Sequence, residues 1–198
     1  MDPDEVRRAW DDVAETYAKR RDPDGSDAAL IADLLAELPA DPTVLDVGCG
    51  DGARTLANLP ADAVGLDFSR RGLELAADTV PGPRLVQGEM TALPVADDSV
   101  DGITAYHAVF HVPRARHPEV YREFARVLRP GGVALMTLPS GDFETVRRGW
   151  MGGSMFFSAP GRQATLDQLA AAGFDDVWTE TADDPLGSTT AFAFGRLG

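Results

Sequence analysis

The sequence predicts a doubly wound α/β sandwich, and three observations carry that expectation. Short apolar, β-branched runs alternate with helical stretches between residues 43 and 139. The first of these runs passes directly into a cluster of glycines. Acidic residues stand at or just beyond the ends of the first three runs. Strands alternating with helices argue for a parallel sheet covered on both faces.

The elements follow in order. From Asp4 to Arg21, Val6, Trp10, Val13 and Tyr17 recur at steps of three and four, the spacing of an amphipathic helix. DPDGS breaks it, and Ser26 is placed to cap a second helix, DAALIADLLAEL, ending at Pro39. Five strands are then expected: TVLDV (43–47), DAVGLD (62–67), RLVQG (84–88), SVDGITAY (99–106) and GVALMTL (132–138). ARTLANL, RRGLELAAD and PEVYREFARVL read as the helices between them. Residues 140–161 set Phe143, Trp150, Met151, Met155, Phe156 and Phe157 among glycines. That composition suits a lid over an apolar molecule, with Arg147 and Arg148 available to an acidic group; it equally suits a short amphipathic helix. RQATLDQLAAAG forms a last helix, and DVWTET and TTAFAFGRL, separated by DDPLGS, form a closing hairpin.

Composition narrows the partners. The chain has 198 residues, 44% hydrophobic and 25% charged, in the range of one globular domain. Its net charge is −14, from 32 acidic against 18 basic residues, and Lys19 is its only lysine. A dispersed negative surface repels phosphate backbones, so no nucleic acid partner is expected. So acidic and lysine-poor a surface also suits work in concentrated salt. No apolar run approaches the ~18 residues of a membrane span, and the acidic N-terminus lacks an apolar signal stretch, so a cytoplasmic protein is expected. Cys49 is the only cysteine, which rules out an internal disulfide or a multi-cysteine zinc site, and no metal is expected. Monomer and homodimer remain equally open.

The glycine cluster carries the chemistry. Gly48-Cys49-Gly50-Asp51-Gly52-Ala53 fits a dinucleotide fingerprint, and Asp67 ends the second strand nineteen residues after Gly48. A carboxylate there accepts hydrogen bonds from both hydroxyls of a ribose, so an adenosine-containing ligand is implied. This leaves a nicotinamide dinucleotide and S-adenosylmethionine open. Three details favour the second: Asp46 would oppose a diphosphate but suits an ammonium and a sulfonium; the glycines fall as G-x-G-x-G; and Glu89, followed by Met90, is placed to accept from an adenine amine.

VLDVGCGDG, GLDFS, GEMTALPVADDSVDGI and FARVLRPGG together resemble the class I S-adenosylmethionine-dependent methyltransferases. In particular they resemble the small-molecule group that includes the ubiquinone and menaquinone C-methyltransferases. The resemblance covers roughly residues 10–180. It implies a Rossmann-like, three-layer αβα sandwich with a seven-stranded sheet of order 3-2-1-4-5-7-6, its last strand antiparallel. It also implies that S-adenosylmethionine lies over the carboxyl ends of the first four strands. Carried over by position, Asp46, Gly48, Cys49 and Gly50 stand near the methionine part. Asp67 with Phe68 holds ribose and adenine, Glu89 with Met90 the adenine edge, and Ala105 with Tyr106 lies beside the methionyl group. Tyr17 sits on a helix that closes over the cofactor in similar enzymes, although a core aromatic fits its spacing as well. One domain over 1–198 follows: N-terminal helices (1–40), a cofactor core (41–139), a candidate acceptor lid (140–161), and a last helix and hairpin (162–198).

Because a sulfonium is an activated methyl donor, alignment of a small-molecule acceptor is the main task, and a base is optional. His107, His111 and Tyr106, just beyond the fourth strand, are the catalytic candidates, with packing as the competing role for His111. His117 is expected at the surface, and Asp97, Asp98 and Asp101 in a solvated turn. The chain lacks the longer insertion that caps the substrate in the quinone enzymes, which favours a small acceptor. Two other readings stay open: a protein that binds S-adenosylmethionine without catalysis, and an NAD-dependent oxidoreductase.

Overall fold

All four residues of β1 (Val44–Val47) are buried, a pattern that belongs to an inner strand covered on both faces. The computed structural model, which describes residues 2–22, 25–183 and 186–198, places β1 at the centre of a seven-stranded sheet. β2 (Val64–Asp67) and β4 (Val100–Ala105) flank it in parallel, and β3 (Arg84–Gln87) extends the sheet beyond β2. On the other side β5 (Leu128–Leu138) pairs in parallel with β4. Two further strands, β6 (Asp142–Trp150) and β7 (Gly153–Pro160), form a separate antiparallel pair. β8 (Phe174–Asp183) and β9 (Thr189–Leu197) complete the main sheet, with β9 antiparallel to both β5 and β8. The order 3-2-1-4-5-9-8 is the expected seven-stranded order once the inserted hairpin is counted.

The sheet is covered on both faces. Ala134 and Met136 of β5 join one cluster with Val120, Tyr121 and Phe124 of α4 (His117–Val127) and Leu169 of α5 (Arg162–Ala172). Val133 and Leu135, one residue out of phase, join the other with Leu30, Ile31 and Leu34 of α2 (Asp27–Ala36). This period of two, apolar on both faces, is why β5 reads as a continuous apolar run. α1 (Pro3–Arg20) and α3 (Arg70–Thr79) lie together near the carboxyl ends of the strands. Asp11 of α1 accepts from the Ser69 hydroxyl and the Arg71 N–H at the start of α3, at 2.7 and 3.1 Å, which fastens the two helices. The chain runs outward from β1 to β3 and returns to β4, so the strand order reverses between β1 and β4, where ligands bind in such sheets.

Five local expectations are corrected. ARTLANL is not an α-helix but a set of turns with one 3-10 turn, Leu56–Asn58. Gly52 and Pro60 leave too few residues for a stable helix, and the Thr55 hydroxyl is held by Asp46. Ser26 does not cap α2; its hydroxyl accepts from the Asp183 N–H at 2.8 Å. Residues 142–160 are not a short helix but the β6–β7 hairpin. His117 is buried rather than superficial, with Nε2 2.9 Å from the Val112 carbonyl, and burial lowers its pKa. Asp101 is likewise more than a solvated turn: it accepts from the Thr43 N–H and pairs with Arg129 at 2.7 Å. The turn DDPLGS lies partly outside the described residues, as does DPDGS.

Candidate active site

The loop after β1 is locked to the end of β2. The N–H groups of Gly48 and Cys49 both donate to the Leu66 carbonyl, at 2.7 and 3.0 Å. The Gly50 N–H donates to one oxygen of the Asp67 carboxylate at 2.8 Å, and the Ser69 N–H to the other at 2.7 Å. Gly48 and Gly50 have φ of 77° and 54°, the left-handed region that glycine enters without strain. A Cβ on Gly48 would stand 2.5 Å from the Ala108 methyl, whereas one on Gly50 would meet nothing within 4 Å. Gly50 therefore presents bare backbone to open space.

That space is a cleft of about 1180 Å³, counting its solvent-filled mouth, under α1 and over the ends of β1 to β4. Gly48, Cys49, Gly50, Asp67, Phe68, Glu89, Met90, Tyr106 and Tyr17 all line it, brought together from five separate segments. Asp46 and Ala105 do not. Ala105 is fully buried in the core beneath the sheet end. The Asp46 carboxylate is buried and accepts from the Thr104 hydroxyl at 2.8 Å and from Thr55. Both carboxylates are raised to about 6, chiefly by burial; Thr55 and Thr104 oppose this at Asp46, and the two backbone N–H donors oppose it at Asp67. Burial also raises the Cys49 thiol, which the nearby Asp67 and Asp46 charges reinforce.

The three catalytic candidates differ in what they offer. The Tyr106 hydroxyl donates to the Asp27 carbonyl at 2.9 Å, and burial drives its pKa up, so the ring rather than a base faces the cleft. His111 Nδ1 lies 2.8 Å from the Phe156 carbonyl, which only accepts, so Nδ1 carries the hydrogen and Nε2 the lone pair. Burial lowers this imidazole to about 4, which keeps it neutral at pH 7. His107 has φ of 51°, and its N–H donates to the Thr137 hydroxyl at 2.8 Å.

A second cleft of about 770 Å³ adjoins the first. Trp10, Tyr17, His107 and His111 line both, so they form the wall the two share. Phe143, Arg147, Trp150 and Phe157 of the hairpin close its far side. Arg148 is exposed and is not part of this wall.

Residues 45–136, from β1 to most of β5, match the family described as methyltransferase domain. The chain is 34% identical over 155 residues to a demethylmenaquinone methyltransferase of Renibacterium salmoninarum, covering 73% of this chain and 64% of that protein. The stretch from β1 to most of β5 thus matches a methyltransferase domain, and the chain is similar to proteins of that activity. Solved structures share the fold of this chain. The 1,6-didemethyltoxoflavin-N1-methyltransferase of Burkholderia thailandensis, with bound S-adenosylhomocysteine, aligns at a TM-score of 0.71 and 18% identity, over all of this chain and 91% of its own. An S-adenosylmethionine-bound amino pentose methyltransferase of Micromonospora echinaspora aligns at 0.65 and 23% identity, over 86% of this chain and 90% of its own. The chain spans under two thirds of the length of the first curated relatives it matches.

The first cleft fits the family's cofactor. Asp67 keeps acceptor capacity on both oxygens beyond the two N–H groups it already holds. Arg21, which the sequence reading passed over, lines the cleft at the foot of α1. Its Nη2 lies within 2.6 Å of both Asp51 oxygens, while Nη1 is buried without a hydrogen-bond partner among the described residues. A buried guanidinium with an unused donor beside the glycine loop matches a carboxylate on the cofactor. The signal was present in the sequence: Arg21 continues the Val6, Trp10, Val13, Tyr17 stripe by one more turn.

Proposed function

We propose that this protein transfers a methyl group to a small-molecule acceptor that occupies the second cleft. The observation that carries the reading is the wall of Trp10, Tyr17, His107 and His111 that borders both clefts. S-adenosylmethionine, when bound, supplies a methyl group already activated by its sulfonium. The chain's residues then hold and align. Asp67 accepts from ribose hydroxyls, Glu89 and Met90 border the adenine edge, Phe68 packs beside it, and Arg21 donates to the carboxylate. Trp10 and Tyr17 on α1 cover the cleft and keep water from the reacting centre. Alignment alone accounts for up to roughly 7–11 kcal/mol of barrier reduction in favourable cases. His111, neutral with its lone pair on Nε2, accepts a hydrogen bond from the acceptor and orients it; at a pKa of about 4 it is a positioning group before it is a base. Within the described residues no helix is long and apolar enough to cross a membrane. Residence in the cytoplasm, in concentrated salt, belongs to the same proposal; the single free thiol and the acidic surface support it.

The test is acceptor-dependent formation of S-adenosylhomocysteine from S-adenosylmethionine over a panel of small oxygen, nitrogen and carbon acceptors. Turnover with at least one acceptor is expected. A folded protein that binds S-adenosylhomocysteine yet methylates none of them would favour a binding protein without catalysis.

A further inference from the structure

The second cleft has two properties that together select a chemical class. The first is its ring geometry. Trp150 meets Trp10 and Phe157 edge-on, with centroids 5.5 Å apart in each case and interplanar angles of 76° and 78°. Tyr17 lies 5.8 Å from Trp150, and Phe110 5.7 Å from Phe157. At these separations the rings touch one another and form one aromatic wall, and a planar ring lying on the cleft side of that wall makes the offset or perpendicular contacts that aromatic groups favour. The size of the cleft suits a molecule of one or two rings.

The second property is charge. The chain carries 32 acidic residues, yet among the described residues lining this cleft there is no carboxylate. Among those described residues the one charged group is Arg147, whose guanidinium stands 4.7 Å over the Phe157 ring. Many arginines of this chain are met by acids, among them Arg71 by Glu15 and Glu74, Arg126 by Asp97 and Glu123, and Arg114 by Asp142 and Glu144. Arg147 has no such partner among the described residues. An aromatic cage by itself would also suit an organic cation. Here the Phe157 face is already taken by Arg147, so a second cation would be repelled and an anion attracted.

We propose, building on the acceptor reading above, that the second cleft takes a planar aromatic acceptor bearing an anionic group, its ring against the aromatic wall that Trp10 and Trp150 present to the cleft and its charge against Arg147. The alternation of β6 makes a clean control. Arg147 shares a face of the hairpin with Phe143 and Phe157, whereas Arg148 points to the opposite face.

The experiment titrates three isosteric probes, 1-naphthoate, 1-naphthalenemethanol and 1-naphthylmethylamine, into protein saturated with S-adenosylhomocysteine at constant salt. Naphthoate is expected to bind about fivefold more tightly than the neutral probe, the ratio for a solvent-screened ion pair, and the amine most weakly. Arg147→Gln is expected to abolish the preference while leaving S-adenosylhomocysteine affinity unchanged, and Arg148→Gln to leave both unchanged. No preference for naphthoate, preference for the amine, no binding of any probe, or a preference that survives Arg147→Gln would each overturn the proposal. Failure of S-adenosylhomocysteine itself to bind would instead overturn the donor reading on which it rests.

Discussion

Asp67 holds the backbone of the glycine loop and of Ser69, and the proposed function assigns it a second set of donors, the hydroxyls of a ribose. Ionisation matters to both roles, because a protonated carboxyl gives up acceptor capacity. Its folded-state pKa is raised to about 6 from 3.8, so the neutral form accumulates as pH falls through about 6. Affinity for S-adenosylhomocysteine is therefore expected to be flat above pH 7 and to weaken progressively below 6, as read by calorimetric titration across that range. Asp67→Asn keeps the shape and one acceptor; it is expected to weaken binding by about 1–3 kcal/mol and to remove the slope near pH 6. Unchanged affinity in that variant would remove Asp67 from the ribose site. His111 shifts the opposite way, to about 4 from 6.5, so it stays neutral throughout this window down to about pH 4 and does not produce the same slope.

The glycine loop and the hairpin are the elements on which the site depends, and they differed in how far the sequence revealed them. Gly48 and Gly50 both adopt positive φ, yet they predict different failures. Gly48→Ala adds backbone strain and drives a methyl to 2.5 Å from Ala108, so a loss of about 2–4 kcal/mol is expected, a Tm fall of roughly 5–15 °C. Gly50→Ala meets no neighbour, so about 1 kcal/mol of strain is expected in thermal unfolding, with a disproportionate loss of S-adenosylhomocysteine affinity because the methyl enters the cleft. Equal effects of the two substitutions on binding and on stability would contradict this division. β1 to β5 and the positions at their ends were legible because apolar runs and glycines obey short-range rules. ARTLANL was misread because its helical composition is overridden by the contacts of Thr55 and the brackets of Gly52 and Pro60. The hairpin was missed because β7 is buried on both sides, Met155, Phe156, Phe157, Ser158 and Ala159 alike, and so shows no alternation, while β6 is exposed and reads as loop.

For the molecule as a whole, a seven-stranded sheet reverses its order between β1 and β4 and opens its carboxyl edge there, while α1 and the β6–β7 hairpin close over that edge from two sides. Arg21, Asp11 and the aromatic wall depend on that closure, which is tertiary and left only a helical stripe in the sequence to mark it. The net charge of −14 acts at the same scale: unscreened repulsion opposes the compact state, so Tm is expected to rise as KCl is raised into the molar range. A Tm that falls with salt would show that the exposed ion pairs, rather than the repulsion, govern stability. The central claim, that the first cleft is a donor site for S-adenosylmethionine, is tested most directly by calorimetric titration of S-adenosylhomocysteine and NADH side by side in molar KCl. Saturable one-to-one binding of S-adenosylhomocysteine alone is the predicted result; binding of NADH alone would contradict it.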